Sequence, residues 1–327
     1  MLPHFSEEIM ETLSKSGRTF GEDRFGDITV LYENGRDFSV IAVQISERTL
    51  EDAARKQLAV KRLSESYPGA VIIPEDRWRN SGKAYRARLM AHTGQFRHVF
   101  ARNCDVVRID KLTAASFLSD HHSYGFASAK YFYGMTLRRS TGAAESSNRL
   151  KPGTLVAVAE FSSPRKWNKD GKNIRSYEWV RYASMSGVRV EGGMGKVMAA
   201  FIDEIHPDDI MSYADLEWSD GSVYRTLGFE AESLRDPVDF TIDPHTWLRT
   251  PISSSRASSS IPSARASFSI PSASASGSMV PPLRRNSVRG HTPCALAEGM
   301  VEKNPADTVL YYRNMGSLKY RLKLTDY

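Results

Sequence analysis

The residues best suited to chemistry begin with the run VRVEGGMGK (188–196), which leads from a strand-like segment into the amphipathic stretch KVMAAFIDEI. A glycine turn ahead of a helix is an anion site. Glycine lets the backbone approach closely, the first-turn N–H groups have no intrahelical partner, and the helix dipole adds roughly half a positive charge there. A pyrophosphate would fit at Val190, Gly192, Gly193, Met194, Gly195 and Lys196. Lys196 opposes the dipole at a helix start, and a neighbouring anion would explain it. A tight strand-to-helix connection would need the same glycines, so both readings stand at this point. A nucleotide-hydrolysing phosphate loop is excluded, because Lys196 is followed by Val197 rather than Ser or Thr.

Other candidates flank this turn. In YEWVRYA (177–183), Glu178 could act as a general base and Arg181 could meet a phosphate or carboxylate; three apart on a strand, they are expected on opposite faces, and either could be a surface charge. Asp215 ends the apolar strand IMSYAD, where α/β sheets place functional side chains, or it caps the next helix. Trp218 and Ser219 could wall an acceptor pocket, although a core tryptophan is the commoner case. His121 and His122 close a helix, and adjacent helical residues diverge by about 100°, so they do not chelate one metal; one of them is assigned to the acceptor side. Tyr224 offers a hydroxyl that could donate a proton or simply face the surface.

The elements that must position these residues are legible from periodicity. FSVIAVQI, LEDAARKQLAVKRLSESY and GAVIIPEDRW read as strand, helix and strand, preceded by the strand DITVLY and followed by a basic helix near Lys83 to Met90. From Cys104 onward, strands and helices alternate through CDVVRI, KLTAASFLSDHH, AKYFYGMTL, TLVAVAEFS, SYEWVRYASM, the glycine turn, its helix, DIMSYADLEW and SDGSVYRTL. Val197, Phe201 and Ile205 fall on one face of KVMAAFIDEI, which must lie on a sheet. Beyond Ile252 the composition turns to Ser, Ala and Pro, with SIPSA at Ser260 and again at Ser269. Such a segment cannot bury enough apolar surface to order itself.

Four regions result: a small α/β domain over 1–95, the main domain over 96–250, a disordered insertion over 251–306, and terminal strands over 307–327 that complete the main sheet. The net charge of +6 permits contact with polyanions, with basic clusters at Arg77, Arg79, Lys83, Arg86 and Arg88 and at Arg165, Lys166, Lys169 and Lys172. No apolar run nears the roughly 20 residues of a membrane span, and the N-terminus lacks a signal-peptide pattern, so a cytoplasmic location is expected. Cys104 and Cys294 have no ligand neighbours at zinc spacing and are read as inert thiols.

The order of strand, glycine turn, helix, strand and short helix ending in YRTLGF (224–229) resembles the GNAT acyltransferase family. The resemblance implies a mixed central sheet flanked by helices, an α/β (α+β) class, with acetyl-CoA or another acyl-CoA as co-substrate. Its pyrophosphate would lie on the turn, and an amine would attack the thioester directly while Tyr224 protonates the departing thiolate. Gly193 and Gly195 match the family glycines, and Val190 stands where the family has Gln or Arg. The words FLSDHHSYG, VAEFSSPRK, YEWVRYA, EGGMGK and SYADLEWSDGSVYRTLGF look like GNAT-like domains of phage and mobile-element proteins, Mom-type and homing-endonuclease-associated forms among them. That likeness implies an acceptor amine that extends to DNA bases. IPEDRWR resembles the ending of a very-short-patch-repair-like nuclease domain, but VIAVQIS offers only Gln44 and Ser46 where an acid to hold Mg2+ beside Asp27 and a lysine to help activate water are expected, which implies a degenerate nuclease. The alternative to a transferase is therefore a non-catalytic DNA-binding accessory protein.

Overall fold

A computed structural model describes residues 5–33, 35, 38–67, 69–140, 149–169, 171–252 and 309–326. Apart from residues 251 and 252, the Ser/Ala/Pro-rich insertion lies outside these residues, as does Cys294.

Helix α1 (Phe5–Ser14) precedes strands β1 (Phe20–Phe25), β2 (Ile28–Glu33) and β3 (Ser39–Val43), and α2 (Leu50–Ser66) crosses over to β4 (Val71–Pro74). The strands pair in the order β1-β2-β3-β4, antiparallel except for β3 beside β4. All five residues of β3 are buried, as a strand covered on both faces requires, which is why FSVIAVQI shows no polar alternation. The acidic pair after Pro74 does not extend the strand. Glu75 and Asp76 open helix α3 (Glu75–His92), where the dipole favours carboxylates, so the expected strand GAVIIPEDRW ends four residues before Trp78.

Next come β5 (Arg97–Phe100), β6 (Cys104–Arg108), α4 (Lys111–His121), β7 (Tyr131–Leu137), β8 (Leu155–Phe161), β9 (Arg165–Lys169) and β10 (Lys172–Ser184). They lead to β11 (Val188–Glu191), α5 (Gly193–Ile205), β12 (Asp209–Asp215), α6 (Ser222–Thr226) and β13 (Glu230–Arg235). After β14 (Asp239–Ile242) and β15 (Arg249–Pro251), the chain closes with β16 (Leu310–Arg313) and β17 (Ser317–Lys323).

The central sheet runs β13-β17-β12-β10-β8-β7-β6, with β9 paired to β10. It is mixed: β10 and β12 are parallel, joined by the α5 crossover, and the other pairs are antiparallel. Helix α5 covers one face, where Val197 and Phe201 are fully buried and the Phe201 ring stacks on Phe161 at 3.9 Å. The other face carries α4, whose Ala114, Phe117 and Leu118 meet Val158 and Ala183. The chain is thus a mixed α+β protein with a central sheet flanked by helices, as expected.

The two terminal strands part company. β17 inserts between β12 and β13, while β16 pairs with β14 in a three-stranded sheet. Ile242, Leu310 and Tyr312 of that sheet pack on Val30, Ile41 and Val60 of the first unit. Only β17 therefore completes the central sheet, while Leu310 and Tyr312 bury themselves against the apolar side chains beside α2. Trp218 also crosses over, lying 4.7 Å from Tyr85 in the core beneath α3.

Candidate functional site

β10 and β12 pair at only three positions, Ser176–Asp209, Tyr177–Ile210 and Glu178–Met211. Beyond them each strand stays with its outer neighbour. β10 follows β8 through an irregularity between Trp179 and Arg181, and β12 follows β17 as far as Asp215–Ser317. The strands splay, and a cleft of about 910 Å³ opens between Trp179–Ser184 on one side and Tyr213–Asp215 on the other. Helix α3 supplies a wall of Ala84, Ala87, Arg88 and Ala91, and the end of α4 supplies His121, His122 and Tyr124.

Tyr224 stands where the strands part. Its ring lies between Tyr320 at 5.2 Å and Phe229 at 5.6 Å, and Ser212 Oγ lies within hydrogen-bond distance of both its hydroxyl (2.8 Å) and the Trp179 carbonyl (2.9 Å), which its single proton can serve one at a time. Burial raises the Tyr224 phenol above its ordinary value, against the opposing effects of Ser212, Arg181 and Arg88, so it is protonated at neutral pH. α6 is held below it by Gly221, at φ +74°, where any side chain would collide with the Tyr320 hydroxyl.

The structure brings together His121, His122, Arg181, Met194, Asp215, Trp218, Ser219 and Tyr224 around this cleft. Val190, Gly192, Gly193, Gly195, Lys196 and Glu178 do not line it. Val190 is a core residue at 8% exposure. Gly192 is exposed, in the left-handed conformation that only glycine adopts freely, whereas Gly193 is buried with the Tyr182 hydroxyl against it. The Lys196 ammonium donates to the carbonyls of Ala101 (3.1 Å) and Cys104. These carbonyls, rather than an anion, account for a cation at this helix start. Glu178 is half-buried and gives its N–H to Ser162 Oγ at 2.9 Å; burial raises its carboxyl, opposed first by Arg165 and then by Arg181.

Within the cleft several roles become specific. The Asp215 carboxylate accepts the Tyr124 hydroxyl and the Glu217 amide (3.0 Å), so it shapes the turn after β12 as well as facing the cavity. Trp218 is a core residue at 8% exposure, with the Arg88 guanidinium 4.4 Å above its ring. Ser219 Oγ accepts from the Gly221 amide and orders the entry to α6. Arg181 turns Nη1 toward the Val180 carbonyl at 2.8 Å and lies opposite Glu160 in the β10–β8 register. Glu160 is fully buried, and neither carboxylate oxygen has a hydrogen-bond partner of normal geometry among the described residues. Burial pushes it up to about 7, against the pull of Arg181 and the nearby Ala127 amide.

The two histidines are acceptors at Nδ1. His121 Nδ1 accepts the Ser186 amide at 3.2 Å, and His122 Nδ1 accepts the Tyr124 amide at 3.1 Å, so each neutral ring carries its proton on Nε2. His122 is depressed to about 3 by burial and then by Arg181 and Arg88. It is a neutral donor, not a base. A histidine depressed on folding takes up a proton on unfolding, so its stabilising contribution is complete above about pH 6.5 and is lost as pH falls toward 3. His122→Asn keeps an acceptor for the Tyr124 amide; the stability gap between wild type and variant is expected to shift against wild type across that window, measured by urea midpoints at stepped pH.

Arg88, Tyr124 and Ser212 were not candidates on sequence. A signal existed for the first: Ala84, Ala87 and Ala91 form a small-residue stripe on α3 opposite buried Tyr85 and Leu89, and Arg88 interrupts it. In the first unit, Glu47 and Lys56 join Asp27. Lys56 Nζ lies 3.2 Å from Asp27 and also contacts Glu47, while Ser46 donates to Asp27. An ammonium thus sits between the two carboxylates, and among the described residues no cluster of three metal-ligating side chains occurs.

No family model and no curated protein matches the chain. Among solved structures, one of the NatC complex bound to Gag peptide and CoA is similar over 41% of this chain and 88% of that chain, at 13% identity and a TM-score of 0.28. No helix among the described residues is long and apolar enough to cross a membrane.

Proposed function

We propose that the protein is a GNAT-type N-acyltransferase that uses acetyl-CoA or another acyl-CoA and acylates an amine. The observation that supports this reading is the parting of β10 from β12 over a cleft with a protonated tyrosine at its apex. Parallel strands that separate leave main-chain groups of β10 free on one side, where an extended thioester arm can lie and its carbonyl oxygen can meet a backbone N–H. The acceptor nitrogen bonds to the thioester carbon, the C–S bond breaks, and the thiolate takes the Tyr224 proton while the nitrogen gives up its own to solvent. On this reading Gly192, Gly193, Met194 and Gly195 form the donor end, with exposed Gly192 admitting a phosphate to the start of α5, and Lys196 braces that turn through the carbonyls of Ala101 and Cys104. His121, His122, Arg181, Trp218 and Ser219 form the acceptor end, and Asp215, which lines the cleft, relays the amine proton to solvent, while Glu178 stands outside it.

Acetyl-CoA is expected to raise the melting temperature by up to about 2 °C per kcal/mol of binding linkage, the lower end of the scale for folds of about 150–250 residues. Absence of any shift at millimolar acetyl-CoA, joined to salt-sensitive DNA binding, would instead support the non-catalytic DNA-binding reading.

A further inference from the structure

The basic residues of α3 divide into two sets. Arg79 and Arg86 pair with Glu8 at 2.7 and 3.2 Å, and Lys83 pairs with Asp120 at 3.4 Å. These neutralise one another at the surface. Arg77 and Arg88 have no ion pair among the described residues and turn inward, Arg77 over the Tyr124 ring at 4.3 Å and Arg88 over Trp218 at 4.4 Å. Arg88 lines the cleft and meets solvent there, although protein surrounds it. From the opposite unit Arg181 lines the same cleft, also without an ion pair among the described residues, and its Nε is buried with no partner.

The acids nearby cancel these charges only in part. Asp215 lines the same cleft and offsets part of the Arg88 charge, its carboxylate held in place by the Tyr124 hydroxyl and the Glu217 amide. Burial raises Glu160, Glu178 and Glu217, which weakens the ionised form of each, and Asp236 is the chain neighbour of Arg235, which also lines the cleft. His122 adds a neutral Nε2–H donor beside the two guanidiniums. With Arg235 and Asp236 offsetting one another, the guanidiniums of Arg88 and Arg181 face the single carboxylate of Asp215, so the cavity keeps an excess of positive charge and its natural occupant is an anion.

Resting on the transferase reading, we infer that the acceptor amine carries an anionic group, a phosphate or a carboxylate, held in this cleft between Arg88 and Arg181. Arginine presents a planar donor fork that matches either oxyanion. The inference also gives the first unit a function: its helix α3 supplies half of the acceptor grip.

The test uses the full chain, without acyl-CoA, and three amines: ethanolamine, phosphoethanolamine and β-alanine. Calorimetric titration is expected to show that at least one of the two anionic amines binds about tenfold or more tightly than ethanolamine, the margin of one charge-assisted pair. Which of them does so distinguishes phosphate from carboxylate. Arg88→Met and Arg181→Met should each remove that margin, Arg88→Lys should restore part of it, and surface Arg62→Met should leave it intact. Equal binding of all three amines to wild type overturns the inference, and needs no variant to fold. It is equally overturned if the methionine variants weaken acetyl-CoA but not the anionic amines, since the arginines would then serve the donor. A protein that binds the anionic amines through these arginines and ignores acetyl-CoA would retain the anion site and lose the transferase reading.

Discussion

Tyr224→Phe is expected to lower the turnover of acyl transfer by about 10²- to 10⁴-fold, the usual contribution of a positioned acid, while the KM for acyl-CoA changes little. The ring is retained by the substitution, so its contacts with Tyr320 and Phe229 survive, and Ser212 keeps the Trp179 carbonyl as a partner. The melting temperature should therefore stay near that of wild type. Its phenol is raised above the ordinary tyrosine value by burial, so the proton is present throughout the physiological range, and no alkaline loss of activity from this group is expected below about pH 10. Steady-state release of free CoA thiol, measured from about pH 6 to 10 for both proteins, checks each of these expectations. An unchanged turnover in the variant would remove Tyr224 from the chemistry.

Much of the architecture was legible because its cause is local. The apolar run FSVIAVQI, the helical face of Val197 and Phe201, and the glycines at the start of α5 each announce an element through side-chain period or backbone freedom. The features that were not legible are non-local. Nothing in TVLYYRNMGSLKYRLKL says that Leu310 and Tyr312 will leave for α2 while Tyr320 stays in the central sheet; that depends on which apolar surface remains uncovered. The same holds within the cleft. Lys196 looked like an anion ligand because its partners, the carbonyls of Ala101 and Cys104, lie more than 90 residues away. Arg88 looked like one more surface cation because the cleft it enters is built by the other unit. Spacing on a regular strand put Glu178 and Arg181 on opposite faces, but the register irregularity between Trp179 and Arg181 breaks that alternation.

Asp76→Ala is expected to destabilise the fold by about 3–5 kcal/mol, the range for removing one partner of a buried ion pair. Arg249 meets Asp76 through two parallel bonds of 2.7 Å, and the two side chains are 5% and 1% exposed. Its guanidinium lies between the rings of Phe240 (4.8 Å) and Tyr312 (4.5 Å), with Nη1 already lacking a partner among the described residues. Without Asp76 that charge stays buried, because the nearest acid, Glu217, is raised by burial and bound by the Tyr312 hydroxyl at 2.6 Å. Asp76→Ala combined with Arg249→Met should cost less than Asp76→Ala alone, since removing the stranded charge returns part of the loss; urea unfolding of the three variants measures it. A single-variant cost below about 1 kcal/mol would mean that water reaches the pair. Asp76 is also the second residue of the helix that carries Arg88. If α3 loosens when this anchor is lost, the KM for an anionic amine is expected to rise, while acyl-CoA affinity, which the proposed function places at the start of α5, is expected to stay unchanged. That split would tie the stability of the first unit to the acceptor half of the cleft alone.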